Sequence, residues 1–433
     1  MAFALKGTRA LTGPAESRGP QPPAAPEPNG QQRLPAGPLT GLRVLEMGSL
    51  VAGPFCTRLL GEFGAEVIKL EPPGQGDQLR RWGLRPPGSD DSLWWYVQGR
   101  NKQSVTLDLK QPRGQALARR LALRCDVLVE NFRPGKLAEW GLDYQRLAAL
   151  HPGLVYVSIS GFGQTGPYRD RVGFGSIAES MGGLRYLTGY PDRPPTRVGL
   201  SIGDSLAGLY AALGALMALH HRDRNGGQGQ LVDVALYEAV FSLLESSVPE
   251  FDRLNVVRQR KGTRLSSTAP SNTYTTRDDH PVVIGANNDA IFQRVCHAMS
   301  RPELARDARF RTNPDRLRHV ELLDALIGEW VGSLDRDAVL ERLQAADVPV
   351  GPIYSVADIV RDPQYWARQM LLRVDDPRLG PVVVPGVMPK LTASPGRQAW
   401  LGPTLGEHTD AVLGDLLGLP PDELAELRND GVI

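Results

Sequence analysis

Between Arg43 and Ile159, short apolar runs rich in Val, Ile and Leu alternate with stretches of helical character. This alternation restricts the fold more than any other feature of the chain. Arg43–Met47 reads as a strand, Gly48–Pro54 as a loop and Phe55–Phe63 as a helix opened by a proline. Ala65–Glu71 reads as a second strand, closed by Pro72, Pro73 and Gly74. Strand, helix and strand over so short a span make a βαβ unit with parallel strands. The pattern repeats in strand Ser104–Asp108, helix Pro112–Leu123, strand Asp126–Glu130, helix Leu142–Leu150 and strand Leu154–Ile159. Such a chain is predicted to form an α/β fold, a doubly wound, Rossmann-like parallel sheet with ligands at the carboxyl ends of its strands.

Residues 1–38 hold eight prolines, few large apolar residues and no periodicity, and are predicted to be a disordered tail. Lys6, Arg9 and Arg18 against Glu16 and Glu27 leave a transit peptide open there, whereas no secretory pattern is visible. A large domain is expected over 39–250 plus 370–433, with 251–369 as a basic, polar connector and a smaller α/β domain. In the smaller domain, Pro281–Gly285 and Val348–Ile353 read as strands, with helices near 289–299, 319–333 and 336–345. Residues 370–400 read as strands rejoining the large domain, and Gly406–Val432 as closing helices.

With a net charge of +1 the chain lacks the one-sided field that nucleic acid or an anionic membrane calls for. Cys56, Cys125 and Cys296 are scattered, which suggests a reducing compartment and excludes a disulfide framework or a zinc knuckle. Gly161–Gly166 spells G-x-G-x-x-G after a strand, but Pro167 and polar residues follow where a dinucleotide site needs a helix. Gly48–Gly53 with Glu71 downstream resembles a loosened nucleotide turn, so a nucleotide-bearing ligand is expected at that loop. Trp94 and Trp95 with Arg80, Arg81 and Arg85 form either a phosphate-binding patch or a loop folded on itself.

The stretch Arg197–His220 carries the strongest candidate for chemistry. Leu206, Leu209, Tyr210, Leu213, Leu216, Met217 and His220 recur at spacings of three and four and predict a core helix buried along that face. Asp204 stands at its start, either as an N-cap or as a functional acid. Gly199, Gly203 and Gly208 would let backbone and ligand approach that carboxylate closely.

Several segments together resemble the class III coenzyme A transferases, the CaiB/BaiF family that includes formyl-CoA transferase and carnitine CoA-transferase. They are Gly48–Pro54, Leu60–Glu71, Asn101–Ser104, Asp126–Phe132, Gly161–Pro167, Gly203-Asp204, Gly227–Asp233 and Gly406–Thr409. The likeness runs over residues 40 to 433 in family order and is closest in pattern to the succinyl-CoA:glutarate branch. It implies an interlocked homodimer with acyl-CoA and a small carboxylic or dicarboxylic acid as substrates. It implies no tightly bound cofactor and no metal, nucleic acid or membrane, and a location in the cytoplasm, or the mitochondrial matrix in a eukaryote.

By the same resemblance, Asp204 is the catalytic residue, and Leu50, Val51, Ala52, Leu107, Asn131, Phe132 and Lys136 bind the coenzyme. The reaction implied is attack of the Asp204 carboxylate on the donor thioester, then formation of an aspartyl-CoA thioester, whose CoA passes to the acceptor. The helix dipole would keep the Asp204 carboxylate ionised. Pro72 and Glu139 occupy positions where the formyl-CoA branch has phosphate-gripping arginines, so Lys69, Lys136 or Arg80 would take over. Arg169, Arg171, Arg185, Arg197 and Arg264 are candidates for the acceptor's second carboxylate. An acyl-CoA racemase of the same fold is the alternative, but Phe174 stands where that branch has a histidine base. A non-catalytic CoA-binding subunit is a third reading.

Overall fold

The computed structural model describes residues 36–433, so the tail expected over 1–38 lies outside the described residues except for its last positions. Six parallel strands form the central sheet: β1 Arg43–Glu46, β2 Glu66–Glu71, β3 Lys102–Thr106, β4 Val127–Glu130, β5 Val155–Ser160 and β6 Leu231–Ala235. Their order, β3-β2-β1-β4-β5-β6, reverses direction between β1 and β4, the switch point of a doubly wound sheet. Successive side chains leave opposite faces, so Val44, Val67, Val127 and Val157 enter one core while Leu45, Ile68 and Leu128 enter the other. Burial on both faces is why these strands are apolar runs and not alternating ones.

On the Leu45 face lie helix α2 (Pro112–Ala122) and the C-terminal helices Thr409–Leu417 and Pro421–Asn429, whose Leu413 and Leu427 are fully buried or nearly so. The Val44 face is covered by α1 (Ala52–Glu62), α3 (Gly175–Met181) and the long α4 (Ile202–Arg224). The face of α4 that enters the core differs from the one expected. Its small residues Ala207, Gly208, Ala211 and Ala215 are buried, whereas Leu209, Leu213 and Met217 are 51%, 44% and 61% exposed. The reason is steric. Gly208 passes so close to α1 that a Cβ there would lie 2.6 Å from the carbonyl oxygen of Ala52. A stripe of glycine and alanine permits that approach and a row of leucines does not. Although α4 has the length and mean hydropathy (1.5) of a membrane span, its small face packs on the sheet.

Three antiparallel strands, β7 Ser271–Thr275, β8 Pro281–Gly285 and β9 Val350–Pro352, form a second sheet with its own core around Phe292, Leu323 and Leu343. Residues 271–275, expected as connector, are therefore an edge strand: Asn272 and Tyr274 pair with Ile284 and Val282. The strands expected over 370–400 are β10 Leu371–Asp376 and β11 Gly380–Pro385, a separate hairpin whose Val384 packs with Tyr96.

Near the carboxyl ends of β1 and β2 and at the start of β3, charge is buried instead of apolar side chains. Lys69 Nζ lies 2.9 Å from Glu46 Oε1 and 2.6 Å from Asp77 Oδ2, and Lys102 Nζ lies 2.8 Å from Glu46 Oε2. Lys69 also donates to the Gly48 carbonyl and Lys102 to that of Pro54. Burial opposes the Lys69 charge, but Asp77 and Glu46 outweigh it and hold its pKa above the usual lysine range. The cluster ties the loop after β1 to the loop after β2. Replacing Lys69 by Met would leave Asp77 buried without its cation and Glu46 with Lys102 alone. Lys69→Met is expected to lower unfolding free energy by about 3–5 kcal/mol, read as an earlier urea midpoint with unchanged slope.

Candidate active site

The loop after β1 is fixed atom by atom. Ser49 N–H donates to Asn131 Oδ1 at 2.8 Å, and Asn131 Nδ2 returns a bond to the Ser49 carbonyl at 2.9 Å. Leu50 sits at φ 63°, a conformation that costs a side-chain-bearing residue energy and needs outside support. That support is Asp77, whose Oδ1 accepts the Leu50 N–H at 3.0 Å. Val51 then starts α1, and the N–H groups of Val51 and Ala52 make no hydrogen bond among the described residues.

Asp204 reaches this loop from α4. Ser201 is the N-cap and Asp204 the third residue of the helix, so the capping expectation for Asp204 does not hold. Its carboxylate rests against the bare backbone of Gly175, where a Cβ would fall 2.1 Å from Asp204 Oδ2. Gly203 presses on the same residue, with a Cβ position 2.9 Å from the Gly175 carbonyl oxygen. Burial, reinforced by the negative charge of Glu179 and partly offset by Arg197, raises the Asp204 pKa to about 6. The helix dipole was expected to keep this acid ionised; desolvation is the larger effect on its pKa, which still lies below neutral pH.

Two cavities meet at Asp204. One, of about 550 Å³, is bounded by Leu50, Val51, Gln78, Arg81 and Arg197. The other, about 160 Å³, is bounded by Val51, Ala52, Asn131, Phe132, Gly161 and Arg171. Beyond the loop, a trough of about 560 Å³ continues past Ser49, Gln78 and Arg81 to Leu107, Lys110 and Trp140. Leu50, Val51, Ala52, Asn131 and Phe132 are thus gathered around Asp204, and Leu107 and Phe132 line the trough.

Lys136 lines none of these spaces; its Nζ pairs with Glu139 at 2.7 Å and lies 4.9 Å from the Trp140 ring centroid. Lys69 is consumed by the buried cluster. Arg80, 4% exposed, is held by Glu71 at 2.7 Å and Asp91 at 3.0 Å and stacks on buried Trp95. Neither is available to a phosphate. The tryptophan–arginine segment is a loop folded on itself, with Trp82 stacked on Trp94, and only Arg81 faces the trough. Arg264 pairs with Glu321 and Asp324 against the second sheet, and Arg169 opens onto a different cavity; neither lines the space around Asp204. Burial pushes the Cys56 thiol well above its ordinary pKa, as suits a packing residue. Gly175 and Glu179 had no local sequence signal, because their partner Asp204 lies far along the chain.

Residues 39–409 match the family described as CoA-transferase family III. A succinyl-CoA–D-citramalate CoA-transferase of Chloroflexus aurantiacus is 52% identical over 399 residues, 92% of this chain and 99% of the relative. The succinyl-CoA:glutarate CoA-transferase of Mus musculus is 35% identical, covering 92% and 90%. The crystal structure of a CaiB/BaiF family protein from Brucella suis superposes with a TM-score of 0.78 at 35% identity, over 88% of this chain and 100% of that one. With the doubly wound sheet and an aspartate at the meeting of two cavities already in place, these likenesses lead to one conclusion: the chain belongs to CoA-transferase family III.

Proposed function

We propose that this chain moves CoA from succinyl-CoA to a small dicarboxylic acid of the hydroxy-diacid class, through a thioester on Asp204. The observation that carries the reading is the position of the Asp204 carboxylate, at the junction of two cavities and in line with the trough. The hydroxy-diacid class is suggested by the citramalate relative, which is more similar than the glutarate enzyme.

In this reading the nucleotide end of CoA lies in the trough near Leu107, with Arg81 and Lys110 toward its phosphates. The pantetheine arm passes Ser49 and Leu50 to reach Asp204. The ionised carboxylate attacks the succinyl carbonyl, expelling CoA thiolate and forming a mixed anhydride. The thiolate then attacks the aspartyl carbonyl, which releases succinate and leaves aspartyl-CoA. The acceptor carboxylate attacks that thioester, and the returning thiolate takes the acceptor's acyl carbon and frees Asp204. Each exchange trades bonds of similar energy, so no external energy source enters. The unpaired N–H groups of Val51 and Ala52 are suited to the developing oxyanions.

A racemase would need a second base. Among the residues around the larger cavity the ionisable ones are Asp204, Arg81 and Arg197, and Phe174 offers no proton acceptor. Residues 39–250 with 370–433 are read as the CoA-binding body, and 251–369 as connector and small domain. A second copy would cover the exposed apolar face of α4 formed by Leu209, Leu213 and Met217. The buried free cysteines agree with a reducing compartment, cytoplasm or mitochondrial matrix, and the chemistry requires no resident cofactor.

Asp204→Ala is expected to lower kcat for CoA exchange at least about 10³-fold with unchanged circular dichroism. Since the nucleophile must be ionised, kcat/KM for succinyl-CoA should fall about tenfold per pH unit below about 6 and level off above it. Stability runs the opposite way. The unfolded carboxyl ionises near its ordinary value of 3.8 and the folded one near 6, so wild type loses stability as pH rises between them. Asp204→Asn should therefore stabilise the fold above pH 7 by about 1–2 kcal/mol, after screening at the open cavity, with no gain at pH 4. Gly175→Ala forces the carboxylate aside and should reduce kcat about 10²-fold while leaving CoA affinity near wild type.

A further inference from the structure

Glu179, on α3 behind Asp204, is 1% exposed, and its Oε1 accepts no hydrogen bond. A carboxylate buried so deeply needs compensating charge. The nearest cations are Arg185, with Nη2 at 3.6 Å from Oε2, and Arg197, with Nε at 3.8 Å from Oε1. Arg197 is drawn inward on one side only. Its side chain remains 53% exposed, it donates no hydrogen bond among the described residues, and it lines the cavity that holds Asp204. The loop that carries it is clasped at its base. Thr196 N–H donates to the Thr188 carbonyl at 3.1 Å, and Gly189, packed on Thr196, accepts the Gly262 N–H at 3.0 Å.

From this arrangement we infer that Arg197, positioned by the buried Glu179, selects substrates with a second carboxylate, both in the donor acyl group and in the acceptor. The inference rests on the CoA-transfer reading and adds the residue that sets its substrate class. A planar guanidinium with Nε turned toward Glu179 keeps its two Nη groups for a bidentate grip on a carboxylate in the cavity. The charge balance also changes at the useful moment. Glu179 and Asp204 carry two negative charges, and Arg185 and Arg197 carry two positive ones. Acylation or thioester formation neutralises Asp204 and leaves these four groups with one positive charge in excess, in addition to that of Arg81 on the same cavity. The site therefore attracts a dianionic acceptor most strongly once the enzyme holds CoA covalently. A succinyl group and its acceptor would use the same guanidinium in alternate half-reactions.

The test compares succinyl-CoA with butyryl-CoA, which has the same chain length and a methyl group in place of the second carboxylate. Arg197→Met is expected to lower the ratio of kcat/KM values, succinyl over butyryl, about 10²-fold, with Arg197→Lys recovering part of it. Glu179→Gln should move that ratio in the same direction by a smaller factor, a shift that general damage to folding would not give. In parallel, calorimetry follows succinate and butyrate binding to Asp204→Asn, whose neutral side chain stands in for the acylated enzyme. Succinate should bind Asp204→Asn at least about tenfold more tightly than the double variant Asp204→Asn with Arg197→Met, and butyrate, with one carboxylate fewer, should lose less. Equal effects of Arg197→Met on both donors, or equal succinate affinity in the single and double variants, would overturn the inference. If wild type transfers CoA from no donor, the CoA-transfer reading fails, and the binding arm still decides the role of Arg197.

Discussion

The approach of α4 to α1, with Gly208 against the Ala52 carbonyl and the Phe55 side chain, is the contact on which the site depends. It carries the first turn of α4 onto the loop after β1 and so places an acid from the middle of the chain beside backbone donors from its start. A larger residue at 208 would separate the helices and take Asp204 away from Val51 and Ala52. The same requirement explains why the small face of α4 is inside and the leucines outside. Close approach here wins over burial of the larger side chains, which remain exposed.

Charge is handled in two ways within a few residues of one another. Glu46, Glu71 and Asp77 are buried with full partners in Lys69, Lys102 and Arg80, and their task is to hold loops. The pKa values of Glu46 and Glu71 are lowered: burial pushes them up, but the lysine and arginine partners outweigh it. Asp204 has no partner of that kind. Burial and Glu179 push it the other way, to about 6, which leaves it ionised at neutral pH yet more basic than an exposed aspartate. The rigid cluster and the poised acid depend on each other, because the loop that faces Asp204 is the one Asp77 holds in a left-handed turn at Leu50.

Five of the six strands of the main sheet were legible to within about two residues, because strands buried on both faces read as short apolar runs. Helix ends were legible where caps or prolines marked them, as at Pro112. The face of α4 was misread because periodicity weights large residues, whereas the packing is set by small ones. Asp204 was visible through its glycines. Apart from Arg197, its true surroundings were not, since Gly175 and Glu179 reach it only through the fold. Lys69 and Arg80 looked like free cations because a buried ion pair and a phosphate ligand carry the same letters in a sequence. Arg81, one residue further on, faces the trough.

If CoA changes hands on Asp204, its carboxylate exchanges oxygen with the substrates. Turnover with acceptor acid labelled with ¹⁸O in its carboxylates, followed by mass spectrometry of the peptide containing Asp204, tests this most directly. The acceptor oxygen that bridges the mixed anhydride stays with the aspartyl carbon, so one labelled atom should enter the Asp204 carboxylate per catalytic cycle. Steady CoA transfer with no label at Asp204 would contradict the account.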